Sequence, residues 1–127
     1  MGGYVQAGST YAAVVGAVIG KLRSERAIGQ GDLAAAVGVG QPAWSRIEKG
    51  GSALTVDQLA RAAAALNCSP SDVLQMADKT VLEMKSQNFQ VSYDKPKRGS
   101  PEKDNTGLLL LGGAALAALI IAANKNS

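Results

Sequence analysis

Apolar residues recur at helical spacing along most of the first 85 positions. Tyr11, Val15, Val18 and Leu22 share one face of a helix predicted from about Thr10 to Arg26, with Ser9 or Thr10 as its cap. A second helix is predicted from Gln30, with Gly29 at the cap position, and ends before Gly38. The third runs from about Gln41 to Lys49. Gly40 caps it, and Pro42 fits its first turn, where a missing N–H costs nothing. Gly50 and Gly51 stop it. Thr55-Val56-Asp57-Gln58 is the capping box of a fourth helix, whose inner face is Val56, Leu59, Ala63 and Leu66. Ser69-Pro70-Ser71-Asp72 opens a fifth with a cap, a proline at the first position and an acidic first turn. Val73, Leu74, Ala77, Val81 and Met84 carry its apolar stripe to about Lys85.

The period then changes. Phe89, Val91 and Tyr93 alternate with Gln90 and Ser92, the spacing of a strand. One short strand is not stable alone, so it must pack on the helices, pair with a second copy or stay unformed. The stretch DKPKRGSPEKDNTG has two prolines and no large apolar residue, and reads as a linker. Leu108 to Ala123 carries no charge, with six leucines and two isoleucines. At about 1.5 Å per residue it comes close to the ~30 Å of a bilayer core, so a transmembrane helix is expected. Lys95, Lys97, Arg98 and Lys103 before it would keep the N-terminal side in the cytoplasm. The predicted division is a helical domain over 9–85, a short extended segment over 86–93, a linker over 94–107 and a transmembrane helix over 108–123. The predicted location is the cytoplasmic membrane, crossed once.

Composition narrows the choice of function. The chain has 127 residues and a formal charge of +3. Residues 1–85 hold eight basic and seven acidic side chains, so the domain is near neutral, and any grip on phosphate must come from a local patch. Hydrophobic residues make up 46%, largely Ala, Val and Leu, which favours small, closely packed helices over a large β core. There is one cysteine and no histidine. Disulfide frameworks within one chain and His-based metal sites are thereby excluded. Cys68 lies near Leu66 and reads as a small core residue. With no Gly-rich phosphate loop and no paired carboxylates, enzyme chemistry is not expected, and neither is a metal or cofactor.

The densest information lies between Gln30 and Gly50. Gln30 starts the second helix, Leu33-Ala34 follow, then Val37-Gly38-Val39, Gln41 and Ser45-Arg46-Ile47-Glu48-Lys49-Gly50. Gly38 supplies a left-handed turn. Leu33, Val37, Val39, Trp44 and Ile47 point inward, and the spacing of Trp44 to Ile47 puts the indole on the buried face rather than on a base. In this pattern the chain resembles the phage repressor/Cro-like (XRE-like) helix-turn-helix family, over about residues 14–77. The resemblance implies an all-α fold: a five-helix repressor-like helix-turn-helix domain, here with an added linker and a single C-terminal transmembrane helix.

It also implies roles. Arg23 and Glu48 match a pair in which an arginine of the first helix holds the glutamate ending the third, a structural ion pair. Gln30 matches a phosphate contact at a helix N-terminus. Gln41, Pro42, Ser45 and Arg46 match positions that face DNA, with Gln41 suited to adenine and Arg46 to guanine. Lys49 and Ser52 can reach backbone phosphate. Pro42 departs from the pattern, because many relatives place a polar base reader there. That weakens a monomer and points to a homodimer on a palindromic site, with Val81, Leu82, Met84 and Phe89–Tyr93 as the natural dimer surface. The expected function is a sequence-specific regulator of transcription that binds double-stranded DNA and is tethered to the membrane through residues 108–123. The alternative is a membrane-anchored adaptor whose helix-turn-helix domain binds a protein partner.

Overall fold

The computed structural model describes residues 6–95, 108–110 and 113–125. Along the chain run β1 (Gln6–Thr10), α1 (Tyr11–Glu25), α2 (Gln30–Val37), α3 (Gln41–Glu48), α4 (Val56–Ala65), α5 (Pro70–Ser86), β2 (Gln90–Ser92), β3 (Leu108–Leu110) and α6 (Gly113–Asn124). The first five helices lie within a residue or two of the predicted bounds, because their start signals are local. Thr10 Oγ1 accepts from the Ala13 N–H at 3.0 Å. Thr55 and Gln58 form the predicted capping box, at 3.0 and 2.9 Å. Ser69 and Asp72 form a second box, at 3.0 and 2.9 Å. Hydrogen bonding from the Ser69 backbone N–H holds the Asp72 carboxyl below its ordinary range.

The core is filled from every helix. Trp44, Ile19, Leu33, Leu66, Met84, Val14, Val18, Val37 and Val73 are all fully buried. Two glycines of different kinds permit this packing. Gly16 sits where α1 crosses α3, and a Cβ there would lie 2.1 Å from the Ile47 carbonyl oxygen. Gly50 ends the α3 turn at φ +86°, with Ala13 Cβ only 2.7 Å from where its own Cβ would stand. The α3 backbone therefore rests directly on α1.

Two expectations change. The fold is not purely helical: a three-stranded parallel sheet, in the order β2-β1-β3, closes one end of the bundle. Gly8, Ser9 and Thr10 stand opposite Gln90, Val91 and Ser92, while Gln6, Ala7 and Gly8 stand opposite Leu108, Leu109 and Leu110. The Phe89–Tyr93 segment thus finds its partner in its own chain, and Tyr93 packs against Tyr11 with ring centroids 5.6 Å apart and the ring planes tilted by 35°. Burial pushes the Tyr11 hydroxyl up from its ordinary value, and its hydrogen bond to Asp78, at 2.7 Å, adds to the shift.

The second correction concerns the tail. Residues 108–123 do not form one transmembrane helix. The first three leucines join the sheet as β3, and α6 begins only at Gly113. Its twelve residues span about 18 Å, well short of a ~30 Å hydrocarbon core. No helix among the described residues is long and apolar enough to cross a membrane. Instead α6 packs against α5 and α1, where Leu116, Leu119 and Ile120 are buried. Those side chains, at i, i+3 and i+4, turn one face to the bundle, and each gains about 1.5–3 kcal/mol by leaving water. The predicted single pass through the cytoplasmic membrane falls with the helix. The predicted linker, 94–107, lies outside the described residues from 96 onward.

Two substitutions test this packing. Ile120→Ala should cost about 2–5 kcal/mol in a urea titration, because a fully buried side chain leaves a cavity. A midpoint unchanged from wild type would mean that α6 is not docked. Gly16→Ala should cost at least about 1–3 kcal/mol, since the methyl meets backbone that cannot turn aside.

Candidate nucleic-acid interface

The geometry begins with a buried carboxylate. Glu48, at the last turn of α3, has a side chain only 8% exposed. Arg23 of α1 grips it with two parallel bonds, Nε to Oε2 at 2.8 Å and Nη2 to Oε1 at 3.0 Å. The Trp44 indole N–H, one turn back on α3, donates to Oε2 at 2.7 Å. The Gln30 side-chain N–H, at the start of α2, donates to Oε1 at 3.0 Å. Four donors from three helices therefore converge on one carboxylate. Arg23 also donates from Nη1 to the Ile28 carbonyl at 2.8 Å, which pins the α1–α2 turn. The bonds to Glu48 hold the Arg23 guanidinium above its ordinary value, against burial, which pulls it down. Gly20 of α1 leaves room for the group, since a Cβ there would stand 3.2 Å from Glu48 Oε1.

Two other arginines also serve the scaffold. Arg26 donates to the Leu66 carbonyl at 2.8 Å and the Leu22 carbonyl at 3.3 Å, closing the C-terminal ends of α4 and α1. Arg61 donates to the Val37 carbonyl at 3.3 Å, at the end of α2 beside the left-handed Gly38 turn. A cation there also meets the negative end of the helix dipole. Sequence reading missed both roles, because each arginine reaches a carbonyl that is distant in sequence or set by the turn. The partnership of Trp44 and Glu48 did have a signal, their spacing of four within one helix.

Gln41, Pro42, Arg46 and Lys49 are exposed, and Ser45 is half-buried. At spacings of one, four, five and eight they share the side of α3 opposite Trp44 and Ile47. Ser52 follows in the next loop, half-buried. The Arg46 side chain makes no hydrogen bond or ion pair among the described residues, unlike Arg23, Arg26 and Arg61. Gln30 stands apart from the expectation of a simple phosphate contact. It is half-buried and tied to Glu48, and its carbonyl oxygen accepts from Gln41 Nε2 at 3.4 Å.

Helix ends add a second feature to this face. Side-chain oxygens cap α1, α4 and α5. The two helices that meet at Gly38 have none: Gly29 and Gly40 precede α2 and α3 without a side-chain cap. Neither start is capped by the residue before it, but Asp32 already places a carboxylate in the first turn of α2, and Pro42 removes one N–H donor from the first turn of α3. Elsewhere, an apolar groove of about 460 Å³ runs between Tyr11, Val15, Leu54, Val56, Leu74 and Tyr93, remote from this chemistry. Cys68 is half-buried, and burial pushes its thiol up, away from the reactive thiolate. Among the described residues no group of three His, Cys, Asp or Glu could hold a metal ion.

Comparison with known proteins bears on the same region. Residues 14–76 match the family described as a helix-turn-helix domain. Among solved structures, the chain is similar to the clp gene regulator ClgR from Corynebacterium glutamicum, at 26% identity and a TM-score of 0.58. That match covers 61% of this chain and 82% of the other. A second ClgR structure from C. glutamicum matches at 28% identity and a TM-score of 0.51, over 54% and 88% of the two chains. A single-residue variant of the restriction-modification controller protein C.Esp1396I matches at 30% identity and a TM-score of 0.54, over 57% and 95%. No curated protein matches the chain.

Glu48→Ala should cost about 3–5 kcal/mol in a denaturant titration, because it strands the half-buried Arg23 cation and the buried Trp44 N–H. A loss within error would show that the carboxylate does not hold the three helices together.

Proposed function

The chain belongs, over residues 14–76, to the helix-turn-helix domain family, and on that premise we propose that it is a sequence-specific regulator of transcription that binds double-stranded DNA. The observation that carries this reading is the coincidence of three features on one face. They are the only guanidinium of residues 6–95 without a hydrogen-bond partner, Arg46; the exposed amide of Gln41; and the two uncapped helix N-termini. In this reading α3 enters the major groove. Arg46 meets guanine O6 and N7, Gln41 meets adenine, and Pro42 packs on a thymine methyl. Ser45, Lys49 and Ser52 meet phosphate or base edges along the groove, and the N-terminal turn of α2, with Gln30, approaches the backbone. Arg23 and Glu48 stay behind the face and hold it in place.

The working unit in this reading is a homodimer. A near-neutral domain makes few phosphate contacts, and a two-fold copy placed one turn away, about 34–36 Å, doubles them. Val81 and Met84, expected at the dimer surface, are buried within their own chain, which leaves Leu82 and Tyr93 as the exposed apolar side chains of that region.

The test is binding of the full chain to duplexes selected from a randomised pool, across a salt series. Arg46→Ala should cost about 1–3 kcal/mol and relax preference at a single base position, whereas Lys49→Ala should weaken all duplexes alike and lower the salt slope by about one. Binding by the wild type that ignores both sequence and salt would sink the reading.

A further inference from the structure

Helix α1 has a neighbour on each of two sides. On one side Gly16, Gly20 and Arg23, at i, i+4 and i+7, form the stripe that meets α3. This contact has no slack. A Cβ on Gly16 would stand 2.1 Å from the Ile47 carbonyl oxygen, and the Arg23–Glu48 bonds are 2.8 and 3.0 Å. On the other side Lys21 and Glu25 border a cleft with Ile120, Ile121 and Asn124 of α6. The strands repeat the arrangement: β3 lies on β1 as α6 lies on α1. Thr10 both ends β1 and caps α1, so no hinge separates that strand from its helix. The tail is nevertheless incompletely held. Asn124 Nδ2 donates to the Ile120 and Met76 carbonyls at 3.0 and 3.4 Å, but its Oδ1 is buried with no donor. Ala115, Ala118, Ile121 and Ala122 stay exposed. An acceptor left unpaired only in the docked state lowers the cost of release.

We propose that docking of the β3–α6 tail controls the reading helix through α1: the docked tail holds α1 where Arg23 grips Glu48, and release of the tail loosens that grip and weakens DNA binding. The proposal rests on the DNA-binding reading and adds its regulation. A helix moves as a unit, so a slide or rotation of α1 on its α6 side is felt on its α3 side. Two parallel hydrogen bonds tolerate little of either motion. Once they loosen, α3 is free to turn about its own axis, and Gln41 and Arg46 lose their common aim. The tail lies beyond residues 14–76, so this control is an addition to the helix-turn-helix domain and not a part of it. Tail and reading helix are joined by one element on which both pack, which is the physical requirement for coupling between them.

Two measurements on the full chain test this. In the free protein, nitrogen-edited NMR follows three sets of signals. Trp44 is the one tryptophan, and its indole N–H, which donates to Glu48 Oε2 at 2.7 Å, reports the grip on Glu48. The α6 amides report docking, and the amides of α4, which packs on α2 and α5, report whether the fold is intact. Ile120→Ala should shift the α6 amides and move the indole signal toward that of a free tryptophan, with the α4 amides unmoved. Ile120→Val, a milder change that keeps the fold, should move the indole part of the way. Ala118→Gln, on the exposed side of α6, should move neither. On DNA, Ile120→Ala should weaken binding to the preferred duplex at least about fivefold, the low end of couplings between sites. An indole signal that stays in place in both Ile120 variants while the α6 amides shift overturns the proposal. So does a shift of the α4 amides as large as that of α6, which would mean a disturbance of the whole fold. If the indole moves but the wild type selects no sequence, the DNA-binding reading fails, and the regulatory role of the tail fails with it.

Discussion

One buried carboxylate holds the domain in register. Glu48 ends α3, yet its four hydrogen bonds come from α1, from α2 and from its own helix. A charge this well covered is costly to leave unpaired, and bidentate geometry from Arg23 together with the Trp44 and Gln30 N–H groups offsets that cost. The bonds are directional, so they fix the rotation of α3 about its own axis, which apolar packing alone leaves loose. That rotation decides which side chains of α3 face out. Arg46 and Gln41 are exposed because Trp44, Ile47 and Glu48 are committed inward.

The carboxylate works only because α1 approaches closely. Gly16 lets the Ile47 carbonyl rest against α1, and Gly20 leaves space for the Glu48 carboxylate one turn further along. Both glycines lie inside a helix, where each costs about 0.5–1 kcal/mol relative to alanine. The contact they permit outweighs that cost. Arg26 and Arg61 then close helix ends with carbonyl bonds. The domain thereby separates its guanidiniums by task, three bracing the scaffold and one, Arg46, left to the solvent-facing side.

Around this domain the ends of the chain form a second layer. β1 precedes α1, β2 follows α5 and β3 precedes α6, so one sheet ties the start of the domain to the segments after it. With β1 in the middle, its backbone partners stand on both sides, and Ser9 is buried. On α6, Leu116, Leu119 and Ile120 face the bundle while Ile121 remains 54% exposed. The helix is apolar on all sides but buried on one.

Local chemistry in the sequence determined the five helices of the domain and the turn at Gly38. Caps such as Thr10, Thr55 and Ser69, breakers such as Gly50 and the 3.6-residue period all act within a few positions. The same locality made the outward set of α3 legible, since the spacing of Trp44 and Ile47 leaves Gln41, Pro42, Ser45, Arg46 and Lys49 on the other side. Only the tertiary structure decided what depends on distant partners. The segment Gln6–Thr10 has little strand propensity and becomes β1 because strands remote in sequence pair with it. The leucine-rich tail reads as a membrane span by count alone, and Gly112-Gly113 was the one local sign that the run divides. Its destination, a strand on β1 and a helix on α1 and α5, follows from surfaces that exist only once the bundle has formed. Gln30 shows the same limit at the scale of one side chain. Its place at a helix start was readable, but its bond to Glu48 required three helices to meet.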